Sequence, residues 1–95
     1  MRGRWLVCYD ISDPKRLRRV YRTLRGYGDW LQLSTFRCEL SEREKVVLRN
    51  LLSEELNHDE DQVLFVYLGP ADGRGAEAIE GLGRPLVERK SVNIF

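Results

Sequence analysis

Apolar residues run without interruption from Trp5 to Tyr9 and resume at Ile11 after a single acid, Asp10. The run is too continuous for a strand with one wet face, and its β-branched and aromatic content predicts a central strand buried on both sides. Asp13-Pro14 supplies an N-cap followed by proline at the first helical position. Leu17, Val20, Tyr21 and Leu24 then recur at i, i+3, i+4 and i+7, the stripe of an amphipathic helix that Gly26 and Gly28 end. Residues 29–40 alternate with period two, so Trp30, Gln32, Ser34 and Phe36 share one face until the register breaks near Ser34-Thr35. Two short strands or one kinked strand result, with no Asn-Gly signal to mark the turn. Ser41 and Glu44 form a capping box that opens a second helix, with a core stripe of Val47, Leu48, Leu51, Leu52 and Leu56. Gln62–Leu68 is a further apolar strand closed by Gly69-Pro70. Residues 71–83 read as a flexible glycine-rich loop and residues 91–95 as a terminal strand.

The order is β-α-β(β)-α-β plus a last strand, with two helices to lie on one face of an antiparallel sheet. That is an α+β, ferredoxin-like pattern in a single domain covering residues 1–95. RNA-binding modules, metal chaperones, acylphosphatases and nucleases all use this fold, so it leaves function open. A 95-residue chain buries a modest core and gains from dimerising. Its 42% hydrophobic and 33% charged content suits a globular domain. No apolar run reaches the ~18 residues of a membrane span, and no small-residue cleavage site follows the N-terminal apolar stretch. Cys8 and Cys38 are too few for a disulfide framework or a zinc site. They read as buried free thiols of a cytoplasmic protein, and His58 reads as a loop residue. The net charge of +1 hides an asymmetry. Residues 1–28 hold eight Lys/Arg and two Asp, whereas residues 39–61 hold eight acids and three bases. A one-sided basic surface follows.

Asp10 is the candidate for chemistry, because an unpaired carboxylate on a central strand is costly. Asp13 already fills the capping role, which leaves Asp10 without an evident local task. One carboxylate makes a poor Mg²⁺ site, but a twofold dimer would supply two to one ion, and such an ion could drive phosphodiester cleavage. The first helix carries Lys15, Arg16, Arg18, Arg19, Arg22 and Arg25 with no acid between Asp13 and Asp29. Arg18, Arg22 and Arg25 stack along one face, which suits contact with phosphates and no reading of bases. Gln32-Leu-Ser-Thr-Phe36 places amide, hydroxyl and aromatic groups near a sheet edge. From spacing alone Phe36 reads as core, Gln32 as solvent-facing and Ser34 as a bend.

Taken together, Leu6-Val-Cys-Tyr-Asp10-Ile, Asp13-Pro-Lys-Arg-Leu-Arg-Arg-Val20, Gly28, Gln32-Leu-Ser-Thr-Phe36, Asp61-Gln-Val-Leu-Phe-Val-Tyr-Leu68 and the terminal Ile94-Phe95 resemble the small CRISPR-associated endonucleases of the Cas2 family. The match covers most of the chain in order and spacing. The resemblance implies a homodimer whose terminal strand adds to the partner's sheet, with Mg²⁺ (or Mn²⁺) held between two copies of Asp10. It implies metal-dependent hydrolysis of single-stranded RNA or duplex DNA, and partnership with the CRISPR-associated integrase in acquiring spacers for antiviral defence. It also implies that Arg16 and Arg19 contact phosphate and that Ser34 and Phe36 stand beside the catalytic centre. Where many relatives carry Arg two residues before the motif's Gln, this chain carries Trp30, which leaves Arg37 as the cation available there. Two other readings fit the same residues: a non-catalytic dimeric scaffold that binds DNA and bridges integrase dimers, and a toxin-type ribonuclease or RNA-binding module on the same fold.

Overall fold

The computed structural model describes residues 1–73 and 79–84. Its elements are β1 (Arg2–Asp10), α1 (Pro14–Arg25), β2 (Gly28–Gln32), β3 (Thr35–Ser41), α2 (Glu42–Glu55) and β4 (Gln62–Pro70). The strands form one antiparallel sheet in the order β2-β3-β1-β4, the ferredoxin-like order that the element pattern predicts. The expected terminal strand 91–95, and with it any pairing across a dimer, lies outside the described residues, as does part of the loop 71–83.

Both helices begin as the sequence indicates. Asp13 Oδ2 accepts hydrogen bonds from the backbone N–H groups of Lys15 and Arg16 at 3.0 Å, with Pro14 following at the first helical position. At α2, Ser41 Oγ accepts from the Glu44 N–H while Glu44 Oε1 accepts from the Ser41 N–H, so two orphan helix donors are satisfied reciprocally.

Register sorts the sheet's side chains into two layers. Val7 pairs with Phe36 and Phe65, and Trp5 with Cys38; these residues turn towards the helices. Val7, Tyr9, Phe36, Cys38 and Leu40 of the sheet meet Val20, Tyr21 and Leu24 of α1 and Leu48 and Leu52 of α2 in one core. The Phe36 ring lies 5.4 Å from the Tyr21 ring and 6.2 Å from that of Tyr9, centroid to centroid, spacings that favour tilted aromatic pairs.

The other layer is uncovered. Leu6, Cys8 and Asp10 alternate with the core residues of β1 and pair with Val66, Leu64 and Gln62 of β4. Leu64 is 51% and Val66 44% exposed, and Leu6 and Cys8 are half-buried. The expectation that β1 is buried on both faces is therefore met on the helix side only; within one chain nothing among the described residues covers the second face. The α2 stripe also narrows. Leu48 and Leu52 form the buried seam with Leu56 beside it, but Val47 and Leu51 stand exposed, because a two-residue seam rests the helix on the core and the flanking apolar positions rotate past it.

The shared face expected of Trp30, Gln32, Ser34 and Phe36 breaks earlier than the pattern predicts. A bulge between Trp30 and Gln32 shifts the β2–β3 register, so Trp30 stays opposite Phe36 while Gln32 emerges into solvent. The strands are then joined by the two-residue turn Leu33-Ser34, one residue before the expected break. Leu33 adopts a φ of 34°, a left-handed conformation that costs a leucine roughly 1–2 kcal/mol and that glycine ordinarily fills at this place in a hairpin. A local bond within the hairpin holds it there: the Trp30 indole N–H donates to the Leu33 carbonyl at 2.9 Å.

Gly28 opens β2 where no side chain fits. A Cβ there would lie 2.4 Å from the Arg37 carbonyl oxygen and 2.6 Å from Cys38 Sγ, so β2 must move off β3 to accept one. Gly28→Ala should lower unfolding stability by about 1–3 kcal/mol, read as a fall in the urea midpoint.

Candidate site at the carboxyl end of the central strand

Asp10 is the last residue of β1 and pairs with Gln62 on β4. On its other side the β1–β3 register passes from Cys8↔Thr35 to a hydrogen bond from the Tyr9 N–H to the Ser34 carbonyl at 3.0 Å, which brings the Leu33-Ser34 turn alongside. The Asp10 side chain is exposed, so the desolvation cost expected for it does not arise in the protomer. It makes no hydrogen bond or ion pair with any described residue. Asp13 does the local capping, and its carboxyl is held below the usual range chiefly by the backbone N–H of Arg16, with that of Lys15 adding to it.

The neighbours divide sharply. Ser34 is half-exposed, with its carbonyl committed to Tyr9 and its hydroxyl unbonded among the described residues. Phe36, expected beside the catalytic centre, is fully buried on the helix side. It cannot touch a substrate there and acts as a packing residue beneath the strand. Tyr9 is buried as well, and burial pushes its phenol up to about 12, so it stays protonated at neutral pH and offers no base. Burial does the same to the Cys38 thiol, again to about 12, in keeping with a buried structural cysteine. Cys8 departs from that expectation and is half-exposed on the open face.

Any cation held here would meet oxygen donors, the Asp10 carboxylate with the Gln62 amide opposite it in register and the Ser34 turn beside the preceding residue. That set suits Mg²⁺ or Mn²⁺ rather than zinc. One carboxylate is half of a common set, and no group of three or more His, Cys, Asp or Glu among the described residues gathers closely enough to hold a metal. The donors of one protomer thus fit a hard divalent cation only in part.

The basic helix splits in the same way. Arg18, Arg19, Arg22 and Arg25 are exposed; none has an acidic partner among the described residues, and Arg25 leans on Tyr21, its guanidinium carbon 5.9 Å from the ring centroid. Arg16, expected to contact phosphate, is committed elsewhere. Its Nε lies 2.7 Å from Asp61 Oδ2 and its Nη2 3.2 Å from Glu60 Oε1. Arg37 stands on the open sheet face, 3.8 Å from Asp29.

The Arg16 fastening has no counterpart in the sequence reading. The Asp61 side chain is fully enclosed and also accepts from the backbone N–H groups of Ser12 and Asn57. The Arg16 guanidinium first, then those N–H groups, hold its carboxyl far below the ordinary carboxylate range. The only signal for it was the opposite charge of the two segments that it ties together.

Residues 1–73 match the family model described as CRISPR associated protein Cas2. The chain is 39% identical over 92 residues to the CRISPR-associated endoribonuclease Cas2 1 of Rhodospirillum rubrum, covering 95% of this chain and 89% of that one. It is 43% identical over 68 residues to the CRISPR-associated endoribonuclease Cas2 of Geobacter sulfurreducens, covering 72% of each. Among solved structures it is similar to Cas2 of Streptococcus pyogenes, with a TM-score of 0.75 and 30% identity over 84% of this chain and 99% of that one. It is also similar to a hypothetical protein of Thermus thermophilus, with a TM-score of 0.77 and 29% identity over 94% of this chain and all of the other.

A carboxylate held low in the fold contributes its stability above its unfolded value, near 3.9, and loses it as pH falls through that value towards the folded one. Denaturant melts should therefore show wild type weakening from about pH 4 downwards. Arg16→Met should be less stable at neutral pH and show a flatter decline in acid.

Proposed function

The chain belongs to the Cas2 family of CRISPR-associated proteins, and on that footing we propose that it is a metal-dependent endonuclease of the CRISPR antiviral system. It would hydrolyse phosphodiesters as a homodimer and work with the integrase in spacer acquisition. The observation that carries this reading is the place of Asp10, an exposed and unpartnered carboxylate at the rim of an uncovered apolar face. Leu6, Cys8, Leu64 and Val66 on that face give a second copy of the chain something to bury. A twofold axis through the same face would add the partner's copy of the carboxylate to this one, completing the donor set that a single protomer supplies in part.

In that assembly Asp10 would hold Mg²⁺ or Mn²⁺. When bound, such an ion supplies positive charge to a phosphoryl oxygen and acidity to a water. The protein's own part is positional. Arg18, Arg19, Arg22 and Arg25 offer planar, bidentate donors to the nucleic-acid backbone; the Ser34 hydroxyl is free to bond a phosphate oxygen or a water; and Asp13 and Arg16 anchor the start of α1 behind Asp10. Single-stranded RNA is the favoured substrate, because the relatives from Rhodospirillum rubrum and Geobacter sulfurreducens are named endoribonucleases.

A second reading has its own support. Phe36 is sealed in the core, Arg16 is committed to Asp61, and Trp30 stands where an Arg is expected. A dimer with these traits could serve as a DNA-binding scaffold between integrase subunits without cutting anything.

Asp10→Ala should abolish Mg²⁺-dependent cleavage and leave the dimer intact by sedimentation. Cleavage at the wild-type rate would remove Asp10 from the mechanism, and a wild-type monomer would remove the shared site. The scaffold reading predicts no cleavage by wild type alongside undiminished binding of duplex and integrase. A double Arg18→Glu, Arg22→Glu variant should weaken nucleic-acid binding and reduce the slope of log affinity against log salt by about 1.4 to 1.8, one phosphate for each arginine lost.

A further inference from the structure

The turn beside Asp10 presents one side chain that the fold does not use. Leu33 is 82% exposed, takes no part in the core cluster, and occupies a backbone conformation that leucine rarely adopts. A single exposed leucine is ordinary on a protein surface. A strained one, gripped through its carbonyl by a tryptophan indole, is less so, since strain held by surrounding structure gathers at working sites. Its location adds to this. The Tyr9 N–H bond to the Ser34 carbonyl at 3.0 Å sets this turn against the residue that precedes Asp10.

We propose that Leu33 is a positioning residue for the nucleic-acid substrate, its side chain wedged between the two bases that flank the phosphodiester presented to Asp10. This rests on the nuclease reading of Asp10. Arginine contacts from α1 hold a phosphate backbone firmly but let it slide, because every phosphate looks alike. An apolar side chain that enters between neighbouring bases stops that sliding and unstacks one step, setting which phosphate comes to rest at the carboxylate. The Trp30 bond to the Leu33 carbonyl holds the backbone that carries the wedge. The occupant is an unpaired strand of RNA, whose bases can separate without breaking a duplex.

The test uses a single-stranded RNA carrying 2-aminopurine at one position, whose fluorescence rises when the base is unstacked. Binding is measured in the Asp10→Ala background so that nothing is cut. There Leu33 should produce the rise on saturation. Leu33→Gly, which accepts the turn's backbone without strain, should still bind with the same salt dependence but give no rise, and Leu33→Met should restore it. With Asp10 intact, Leu33→Gly should slow cleavage roughly 10- to 100-fold and scatter the cut positions, while the Mg²⁺ requirement is unchanged. An equal rise and an equal cutting pattern with Leu33→Gly would overturn the proposal. So would dissociation of the dimer by that substitution, which would make Leu33 a subunit contact. Should wild type cut no nucleic acid at all, the nuclease reading fails separately, and the fluorescence comparison still decides the role of Leu33.

Discussion

A sheet with helices on one side only leaves a second side that water or another surface must cover, and this chain makes that second side apolar. Leu6 and Cys8 on β1 and Leu64 and Val66 on β4 lie opposite a core that Val7, Tyr9 and Phe36 seal against the helices. Among the described residues, no third layer covers that face. The continuous apolar runs of β1 and β4 therefore read as strands suited to cover on both sides, one of which their own helices supply. Asp10 ends β1 on the uncovered side, so whatever covers that face also decides the surroundings of the acid.

Charge follows a similar division. The basic first segment and the acidic later segment do not simply face solvent on opposite sides. Arg16 reaches back to Asp61 and Glu60 and ties the start of α1 to the loop before β4, while the arginines beyond it stay outside. One cation of the helix is spent on rigidity and the rest remain available to an anionic partner. Asp13, Arg16 and Asp61 all converge on the connection that follows Asp10, so the rim of the candidate site is held by several bonds.

Much of this was legible in the sequence wherever a local rule governs the outcome. The capping residues Asp13 and Ser41, the α1 stripe and the apolar runs all reappear as elements in the expected order, because hydrogen-bond capping and burial period act over a few residues. The departures come from geometry that spacing and propensity do not encode. Val47 and Leu51 satisfy helical spacing but lie outside a seam only two residues wide. The bulge at Leu31 moves Gln32 off the face that period two assigns it. The Leu33 turn carries no glycine, since an indole bond from Trp30 supplies what a turn residue ordinarily would. Of the candidate site, Asp10 stood out because a strand's apolar run ends on it, whereas the burial of Phe36 and the commitment of Arg16 to Asp61 depend on contacts made by residues distant along the chain.

The two thiols differ in a way that makes the molecule its own gauge. Cys38 is sealed in the core with its thiol held protonated, while Cys8 lies half-open at the middle of the uncovered layer. A water-borne alkylating reagent would discriminate between them without any engineered label. Its rate at Cys8 would report how tightly the sheet's bare side is closed at any moment, whether by a twin molecule or by some other cover.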